Sequence, residues 1–226
     1  IKFLDAAKDL SIQVHPDDAY AAKHEGGSLG KCECWYVLHA DPNATIVVGQ
    51  RAKSPEEFGR LVEEGRWSEL LNEVPVHAGD FFQIAPGTVH AIKGGTMVLE
   101  TQQSSDITYR VYDYDRVQAD GTKRELHLQK SLDVIDFGAK PITSGRVSTP
   151  TTNGITQLVC CPRYTVWHVR ATGTATLSSP KTFYCASVIE GTGRASDHEL
   201  RKGDHFIVPA GYGTLRLEGD MQLIVS

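Results

Sequence analysis

An internal repeat constrains the fold of this chain more strongly than any other feature. Residues 76–92 read VHAGDFFQIAPGTVHAI, and residues 201–215 read RKGDHFIVPAGYGTL. Each copy has a Gly-Asp turn, a short apolar strand, a turn that contains proline and glycine, and a further strand. A supersecondary unit that occurs twice predicts two related β domains in a mainly β protein.

The segment before the first repeat copy predicts the main helical part of the chain. Residues 54–57 read Ser-Pro-Glu-Glu, which is a capping box with proline at the first helical position. Apolar residues then recur at helical spacing from Phe58 to Leu71. We therefore predict a helical insert over about residues 54–73 of the first domain.

The chain between the two β regions lacks strong periodicity. Residues 117–153 contain an evident turn and end in a stretch rich in Ser, Thr, Pro and Gly, which is typical of a linker. We predict a first domain over residues 1–116, a linker over 117–153 and a C-terminal domain over 154–226. Because the sequence starts at Ile1, without Met and in what reads like the middle of a domain, we expect further residues before it.

Charge and hydrophobic pattern exclude several classes of protein. The formal net charge is −5 and no basic run occurs, so we expect no nucleic-acid partner. No apolar stretch approaches the roughly 18 residues of a membrane span, and no signal peptide is recognisable. The five cysteines form no CxxC pair, which favours a reducing compartment over a disulfide framework. We therefore expect a cytoplasmic protein.

Four residues form a candidate metal site. Gln13 and His15 stand two positions apart, and Glu33 alternates with cysteines in KCECWY. Because side chains alternate between the faces of a strand, two neighbouring strands would bring this amide, imidazole and carboxylate together. The repeat supplies a fourth group, because His90 follows the turn of the first copy, whereas Thr214 holds the equivalent place in the second. We therefore predict one metal site, in the first copy.

The donor set indicates the kind of metal. Two imidazole nitrogens with carboxylate and amide oxygens suit zinc or another borderline divalent ion. The amide of Gln13 is the weakest of these donors, so Gln13 is either a ligand or a hydrogen-bonding neighbour of one. The other histidines are expected to be structural or exposed: His24, His39, His77, His127, His168, His198 and His205.

A second cluster lies in TQQSSDITYRVYDYDR, residues 101–116. Arg110 either binds an anion, such as a phosphate or an anionic intermediate, or forms a surface ion pair with Asp113 or Asp115. Glu100 stands ten positions before Arg110, so the two share a face along a regular strand, and Glu100 is a candidate general base. The sequence contains no phosphate loop, nucleophile elbow or dinucleotide fingerprint.

Four motifs, taken together, resemble a known family. They are IQVHPDD, KCECWY, APGTVHAI and SSDITYRVYDYDR, and they are similar to the type I mannose-6-phosphate isomerases of the short bacterial form. The similarity is dense over residues 10–116 and looser through the C-terminal domain. It implies two cupin-type jelly-roll barrels, with a small helical insert in the first and a metal site only in the first.

The resemblance also implies an activity and a set of residues. It implies the interconversion of mannose 6-phosphate and fructose 6-phosphate with one zinc ion per chain, a small-molecule sugar phosphate as substrate, and a monomer or weak dimer. The residues that it assigns are the zinc ligands His15, Glu33, His90 and Gln13, the catalytic residues Arg110 and Glu100, and the substrate contacts Lys31 and Arg110.

Two alternatives stay open from the sequence. The first is another metal-dependent cupin, such as an iron oxygenase or an epimerase-like sugar enzyme, although such sites usually use an HxH arrangement where this chain has Gln13. The second is a cupin that binds sugar without turnover, although binding alone does not require His15, Glu33, His90 and Arg110 together. Metal analysis with an isomerase assay separates these possibilities.

Overall fold

Two compact units make up the chain, Ile1–Arg146 and Val147–Ser226. The structure, a computed structural model, describes residues 1–178 and 182–226. Both units are mainly β, as the sequence predicts. The first unit includes most of the segment that we expected to be a linker, up to residue 146. The extents of the two functional domains stay a prediction.

Two β-sheets form the first unit, all of whose residues are described. The strands are β1 (Lys2–Ala6), β2 (Ile12–Val14), β3 (Glu33–Ala40), β4 (Thr45–Gln50), β5 (Leu71–Pro75), β6 (Phe81–Ile84), β7 (His90–Ala91), β8 (Thr96–Gln102) and β9 (Tyr109–Tyr112). One sheet has the order β1-β8-β3-β6 and the other the order β5-β4-β7-β2-β9. Trp35 and Val98 of the first sheet share a buried core with Ile46 and Val48 of the second, so the two sheets face each other.

Helices cover the outer face of the five-stranded sheet. They are α2 (Pro55–Glu63), α3 (Trp67–Leu70) and α4 (Leu128–Val134), while α1 (Asp18–His24) follows β2. The Ser54 hydroxyl accepts a hydrogen bond from the Glu57 amide, as the capping box predicts. Phe58 and Leu61 of α2 are buried in the same core as Tyr109 of β9. The helical segment ends where β5 begins, slightly before the predicted end of the insert.

One sheet forms the described part of the second unit. Its strands are β10 (Ile155–Cys160), β11 (Thr165–Leu177), β12 (Tyr184–Ala195), β13 (His198–Arg201), β14 (His205–Val208) and β15 (Leu215–Val225). The order is β10-β11-β15-β12-β13, and β14 also pairs with β12. Alternate residues of β11 and β15, such as Val169 and Leu223, form the buried core, because a strand turns every second side chain to one face.

The sequence repeat recurs as one structural motif. In the first unit the Asp80 carboxylate accepts a hydrogen bond from the His77 amide at 2.8 Å, and the Asp80 carbonyl accepts one from the Val37 amide at 2.9 Å. Asp204 makes the equivalent two bonds in the second unit, the second of them with the amide of Val188. The same turn therefore holds the same pair of strands in both units.

Strand pairing among the described residues gives three open sheets. The closed barrels that the sequence analysis predicted are therefore not confirmed. The first unit is a pair of facing open sheets, which is the arrangement of a double-sheet jelly roll. Among the described residues, no helix is both long enough and apolar enough to span a membrane.

Candidate metal centre

Three buried side chains meet between the two sheets of the first unit. His15 follows β2, Glu33 begins β3 and His90 begins β7, and their ligand atoms all lie within 4.8 Å of one another. The Nε2 atom of His90 lies 3.3 Å from Oε1 of Glu33, and the Nε2 atom of His15 lies 3.6 Å from Oε2. The expectation that β2 and β3 are neighbouring strands is wrong, because these strands belong to facing sheets and supply ligands from opposite sides.

Backbone carbonyls fix the orientation of both imidazoles. Nδ1 of His15 donates to the carbonyl of Ile107 at 2.7 Å, and Nδ1 of His90 donates to the carbonyl of Thr88 at 2.8 Å. Because a carbonyl only accepts, both rings carry their proton on Nδ1 and present the Nε2 lone pair to the site. Burial lowers the pKa of His15 well below its usual value and the pKa of His90 to about 4. Both rings are therefore neutral, as metal ligation requires.

The carboxylate of Glu33 has the character of a cation ligand. Its two oxygens are buried and, among the described residues, have no hydrogen-bond partner. The positive charge opposite them is the Lys31 ammonium, 2.5 Å from Oε2 and 3.1 Å from Nε2 of His15. Buried polar atoms are normally satisfied, and the ammonium contacts only Oε2, so a carboxylate whose Oε1 has no partner beside two imidazole nitrogens fits a divalent metal ion.

Gln13 lies at the edge of this cluster. It is paired across the sheet with both His90 and Arg110, so the three side chains share one face. Its amide Nε2 lies 3.3 Å from Nε2 of His90, and its Oε1 accepts from the Ser11 hydroxyl at 3.4 Å. Half a turn of the amide exchanges its oxygen and nitrogen, so the same position can present a ligand oxygen.

Glu100 lies on the four-stranded sheet, facing the same interior. Its side chain is buried, and its Oε2 accepts a hydrogen bond from the indole of Trp35 at 3.1 Å. The ammonium of Lys2 lies 3.2 Å from its Oε1. The expectation that Glu100 shares the face of one regular strand with Arg110 is wrong, because the two lie on β8 and β9, in different sheets.

Arg110 is held by the segment that follows β9. Its Nη1 donates to the carbonyl of Glu125 at 2.9 Å, and its backbone amide donates to Nδ1 of His127 at 3.2 Å. Its Nε is buried and has no partner among the described residues. Burial and the neighbouring charge of Arg124 lower the pKa of Arg110. A partly desolvated guanidinium with a free donor is suited to bind an anion.

The surface ion pair that the sequence allowed for Arg110 is made by other residues. Asp113 pairs with both Arg116 and Arg124. Asp115 pairs with Lys123. Two guanidiniums therefore surround one buried carboxylate near Arg110, so the three arginines of this cluster outnumber its buried carboxylate.

Lys2 is a site residue that the sequence analysis missed. Besides its contact with Glu100, its ammonium donates to Oε1 of Gln102 at 2.6 Å, and its charge contributes to lowering the pKa of His15. A single lysine at the start of an amphipathic strand carries no pattern of its own. Its place beside the site follows from the pairing of the strands. Lys2 of β1 lies directly across from Glu100 of β8, which lies directly across from Trp35 of β3.

The second unit differs from the first at the positions of the candidate site. The residues in the register equivalent to Lys2, Glu100 and Trp35 are Trp167, Val225 and Ala186. Tyr184 holds the position equivalent to Glu33: Glu33 pairs with the last residue of β6, and Tyr184 pairs with the last residue of β14. The polar row of the first unit is therefore exchanged for an apolar and aromatic row.

Proteins of one family are similar to this chain. Residues 154–226 match the family model for the cupin domain of mannose-6-phosphate isomerase. Mannose-6-phosphate isomerase ManA of Bacillus subtilis (strain 168) is 46% identical over 233 residues, which cover 100% of this chain and 73% of that protein. A mannose-6-phosphate isomerase of Streptococcus mutans is 46% identical, over 100% of this chain and 72% of its own length. The crystal structure of the mannose 6-phosphate isomerase from Bacillus subtilis has a TM-score of 0.89 and 41% identity, covering 99% of this chain and 73% of that chain.

Proposed function

Because the chain belongs to the mannose-6-phosphate isomerase family, we propose that it interconverts mannose 6-phosphate and fructose 6-phosphate with one zinc ion at the metal centre of the first unit. The observation that carries this proposal is the buried Glu33 carboxylate, whose oxygens face the lone pairs of His15 and His90. Gln13 is the proposed fourth member, as a ligand or as a hydrogen-bonding neighbour. When bound, the metal supplies Lewis acidity near the C1 and C2 oxygens of the open-chain sugar.

Glu100 is the proposed proton carrier. Isomerisation moves a proton between C2 of the aldose and C1 of the ketose through an enediolate. A carboxylate oxygen of Glu100 takes the C2 proton of mannose 6-phosphate and returns it to C1, while the hydroxyl proton moves from O2 to O1, so the carboxylate is regenerated in each turnover. Burial of this carboxylate beside the metal centre, with the hydrogen bond from Trp35, supports the assignment.

Arg110 is proposed to stabilise negative charge and to bind the substrate. Its Nε has no partner among the described residues, and it shares a sheet face with Gln13. Arg116 and Arg124 add positive charge that Asp113 neutralises only in part. An edge of this kind suits the substrate phosphate and the enediolate oxygens.

Lys31 is the proposed substrate contact on the opposite wall. It immediately precedes β3, and its ammonium lies beside His15 and Glu33. An ammonium on a flexible stem can reach a sugar hydroxyl or a phosphate oxygen from this position. The substrate would therefore contact cationic side chains from both sheets.

We assign the reaction to the first domain, predicted over residues 1–116, and a cupin-like fold without a metal site to the predicted C-terminal domain over 154–226. The aromatic and apolar replacements in the second unit support this division of roles. None of the five cysteines, all of which lie among the described residues, forms a disulfide bond, and this supports the proposal of a cytoplasmic enzyme. We propose a monomer or weak dimer, which light scattering would test.

Metal analysis combined with a coupled isomerase assay tests the function. We expect about one zinc per chain, turnover of mannose 6-phosphate that is lost on chelation, and recovery when zinc is added back. Full turnover by metal-free protein would refute the zinc assignment. Metal binding without turnover of mannose 6-phosphate would favour the alternative, a non-catalytic or differently acting metal-binding cupin.

A further inference from the structure

The indole of Trp35 lies between the metal centre and the proposed proton carrier. Its Nε1 donates to Oε2 of Glu100 at 3.1 Å. The edge of the same ring system packs against the imidazole of His90, with 5.4 Å between the ring centroids and 69° between the planes. Trp35 therefore contacts a proposed ligand and the proposed base at once.

The position of this indole is fixed by the fold. Trp35 and Glu100 are directly opposite residues of the antiparallel strands β3 and β8, so their side chains project from the same face. Trp35 is 1% exposed and packs in the core with Phe82 and Val98. Close packing leaves a buried indole of this size few alternative rotamers, so its N–H is a rigid donor.

The two oxygens of Glu100 have partners of different rigidity. Oε2 receives the fixed indole, whereas Oε1 faces the ammonium of Lys2, whose side chain is 50% exposed and carried by a flexible stem. The orientation of the carboxylate therefore depends mainly on Trp35.

The second unit supports a link between the two residues. At the equivalent register it has Ala186 opposite Val225, so the unit that lacks the carboxylate also lacks the indole. A tryptophan that served only to fill the core would not need to be lost together with the glutamate.

We propose that Trp35 is a positioning residue that aims the Glu100 carboxylate at the substrate carbon through its indole N–H. The inference rests on the proposed function, in which Glu100 carries the proton. Without the N–H, a buried charged acceptor loses its fixed donor, and the carboxylate turns away from the reactive geometry. The two histidine ligands keep their own partners, which are backbone carbonyls.

The test compares Trp35→Phe with wild-type protein loaded with zinc. We expect kcat to fall by about 10-fold to 100-fold with KM and zinc content changed by no more than about twofold. We also expect the deuterium isotope effect with mannose 6-phosphate labelled at C2 to increase, because proton transfer becomes more strongly rate-limiting. Trp67→Phe is the matched control, since Trp67 stacks on Tyr112 with 4.4 Å between the ring centroids and packs against a different core from that of Trp35.

A second substitution guards against a folding defect in Trp35→Phe. In a Trp67→Phe, Trp167→Phe background, Trp35 is the remaining tryptophan, because the chain has 3. Biosynthetic replacement of that tryptophan by benzothienylalanine exchanges the N–H for sulfur at nearly constant shape. The same fall in kcat is expected, whereas wild-type kcat in this protein would overturn the proposal.

Glu100→Gln separates the inference from the proposed function. If Glu100 carries the proton, Glu100→Gln is nearly inactive, and adding Trp35→Phe to it lowers kcat no further. An equal further fall in the double variant, or a fall in kcat that follows zinc loss, would overturn the role of Trp35 alone. Near wild-type turnover by Glu100→Gln would overturn the proton-carrier assignment and the inference with it.

Discussion

The side chain of Asp113 offers a direct test of how the arginine-rich edge of the first unit is held. Asp113 is 5% exposed and accepts hydrogen bonds from the Nε and Nη2 atoms of both Arg116 and Arg124. Arg124 directly precedes Glu125, whose carbonyl accepts the hydrogen bond from Arg110. Asp113→Asn keeps the shape of the side chain but removes its charge and one acceptor oxygen, so we expect both stability and the placement of Arg110 to suffer.

The magnitude follows from the bonds that are lost. Three of the four hydrogen bonds go to Oδ1 and one goes to Oδ2, so an asparagine that keeps Oδ1 loses one of them, and a hydrogen bond to a charged group contributes about 1.5–3 kcal/mol. The two arginine side chains are 34% and 39% exposed, so water replaces part of the loss. We expect the free energy of unfolding to fall by about 2 kcal/mol and Tm by about 4–8 °C.

The pH dependence of this loss has a defined sign. Hydrogen bonds from Arg124 and Arg116 lower the pKa of Asp113 below its usual range. A carboxyl group with a depressed folded-state pKa stabilises the fold fully above the unfolded-state pKa of about 3.9, and loses that contribution as pH falls through the folded-state value. The stability difference between wild type and Asp113→Asn is therefore expected to be constant near neutral pH and to shrink on acidification.

Denaturant unfolding at several pH values measures the effect, and Asp115→Asn is the matched control. Asp115 has a side chain that is 73% exposed and pairs with Lys123 at 2.7 Å, so its substitution is expected to change stability by about 0.5 kcal/mol or less. Asp113→Asn is also expected to lower kcat, whereas Asp115→Asn is not. Equal stability of the two variants, or a loss in Asp113→Asn that persists in acid, would refute the reasoning.

Three further perturbations test the site and its support. Glu33→Gln is expected to lower zinc affinity by about 100-fold or more while the protein stays folded, as measured by competition with a chelating dye; unchanged affinity would remove Glu33 from the ligand set. Arg110→Ala is expected to lower turnover far more than zinc content, because the proposed role of its guanidinium is to bind the anionic substrate; parallel loss of both would make Arg110 structural. Gly30→Ala is expected to lower the free energy of unfolding by about 3 kcal/mol, since the added Cβ would lie 2.3 Å from the Asp17 carbonyl carbon. Gly59→Ala, in open space on α2, is expected to raise the free energy of unfolding by about 0.5–1 kcal/mol. Thermal unfolding of the two glycine variants checks these opposite shifts, and equal Tm values would contradict the steric argument.

Features that depend on neighbouring residues were predictable from the sequence. The capping box at Ser54 predicted the start of α2, and the repeat predicted equivalent turns at Asp80 and Asp204. Pairing between distant strands follows from the global packing of two sheets and leaves no local mark. For this reason the predicted adjacency of β2 and β3, and the shared strand face of Glu100 and Arg110, were wrong.

The site was predictable where chemistry demands a residue type. His15, Glu33 and His90 could be found because few side chains offer ligand atoms. Lys2 could not be found in this way, because only its pairing across the strands with the proposed base Glu100 places it at the site. The support of Arg110 by the carbonyl of Glu125 has no sequence signal either, since any residue supplies a carbonyl.

The second unit shows how one copy of the repeat is built without the proposed metal ligands. Tyr184 stands in the place of Glu33, packs edge-on against Trp167 with 5.5 Å between the ring centroids, and donates its hydroxyl proton to the carbonyl of Ser178. A carboxylate at this half-buried position would lie beside an indole, and Thr214 stands where the first unit has His90, so an imidazole nitrogen needed to share a cation would be missing. Tyr184 instead covers apolar area of Trp167, and its hydroxyl group is satisfied by the carbonyl of Ser178. Among the described residues, the buried carboxylate oxygens without a hydrogen-bond partner belong to Glu33 of the first unit, where a metal ion can compensate for them.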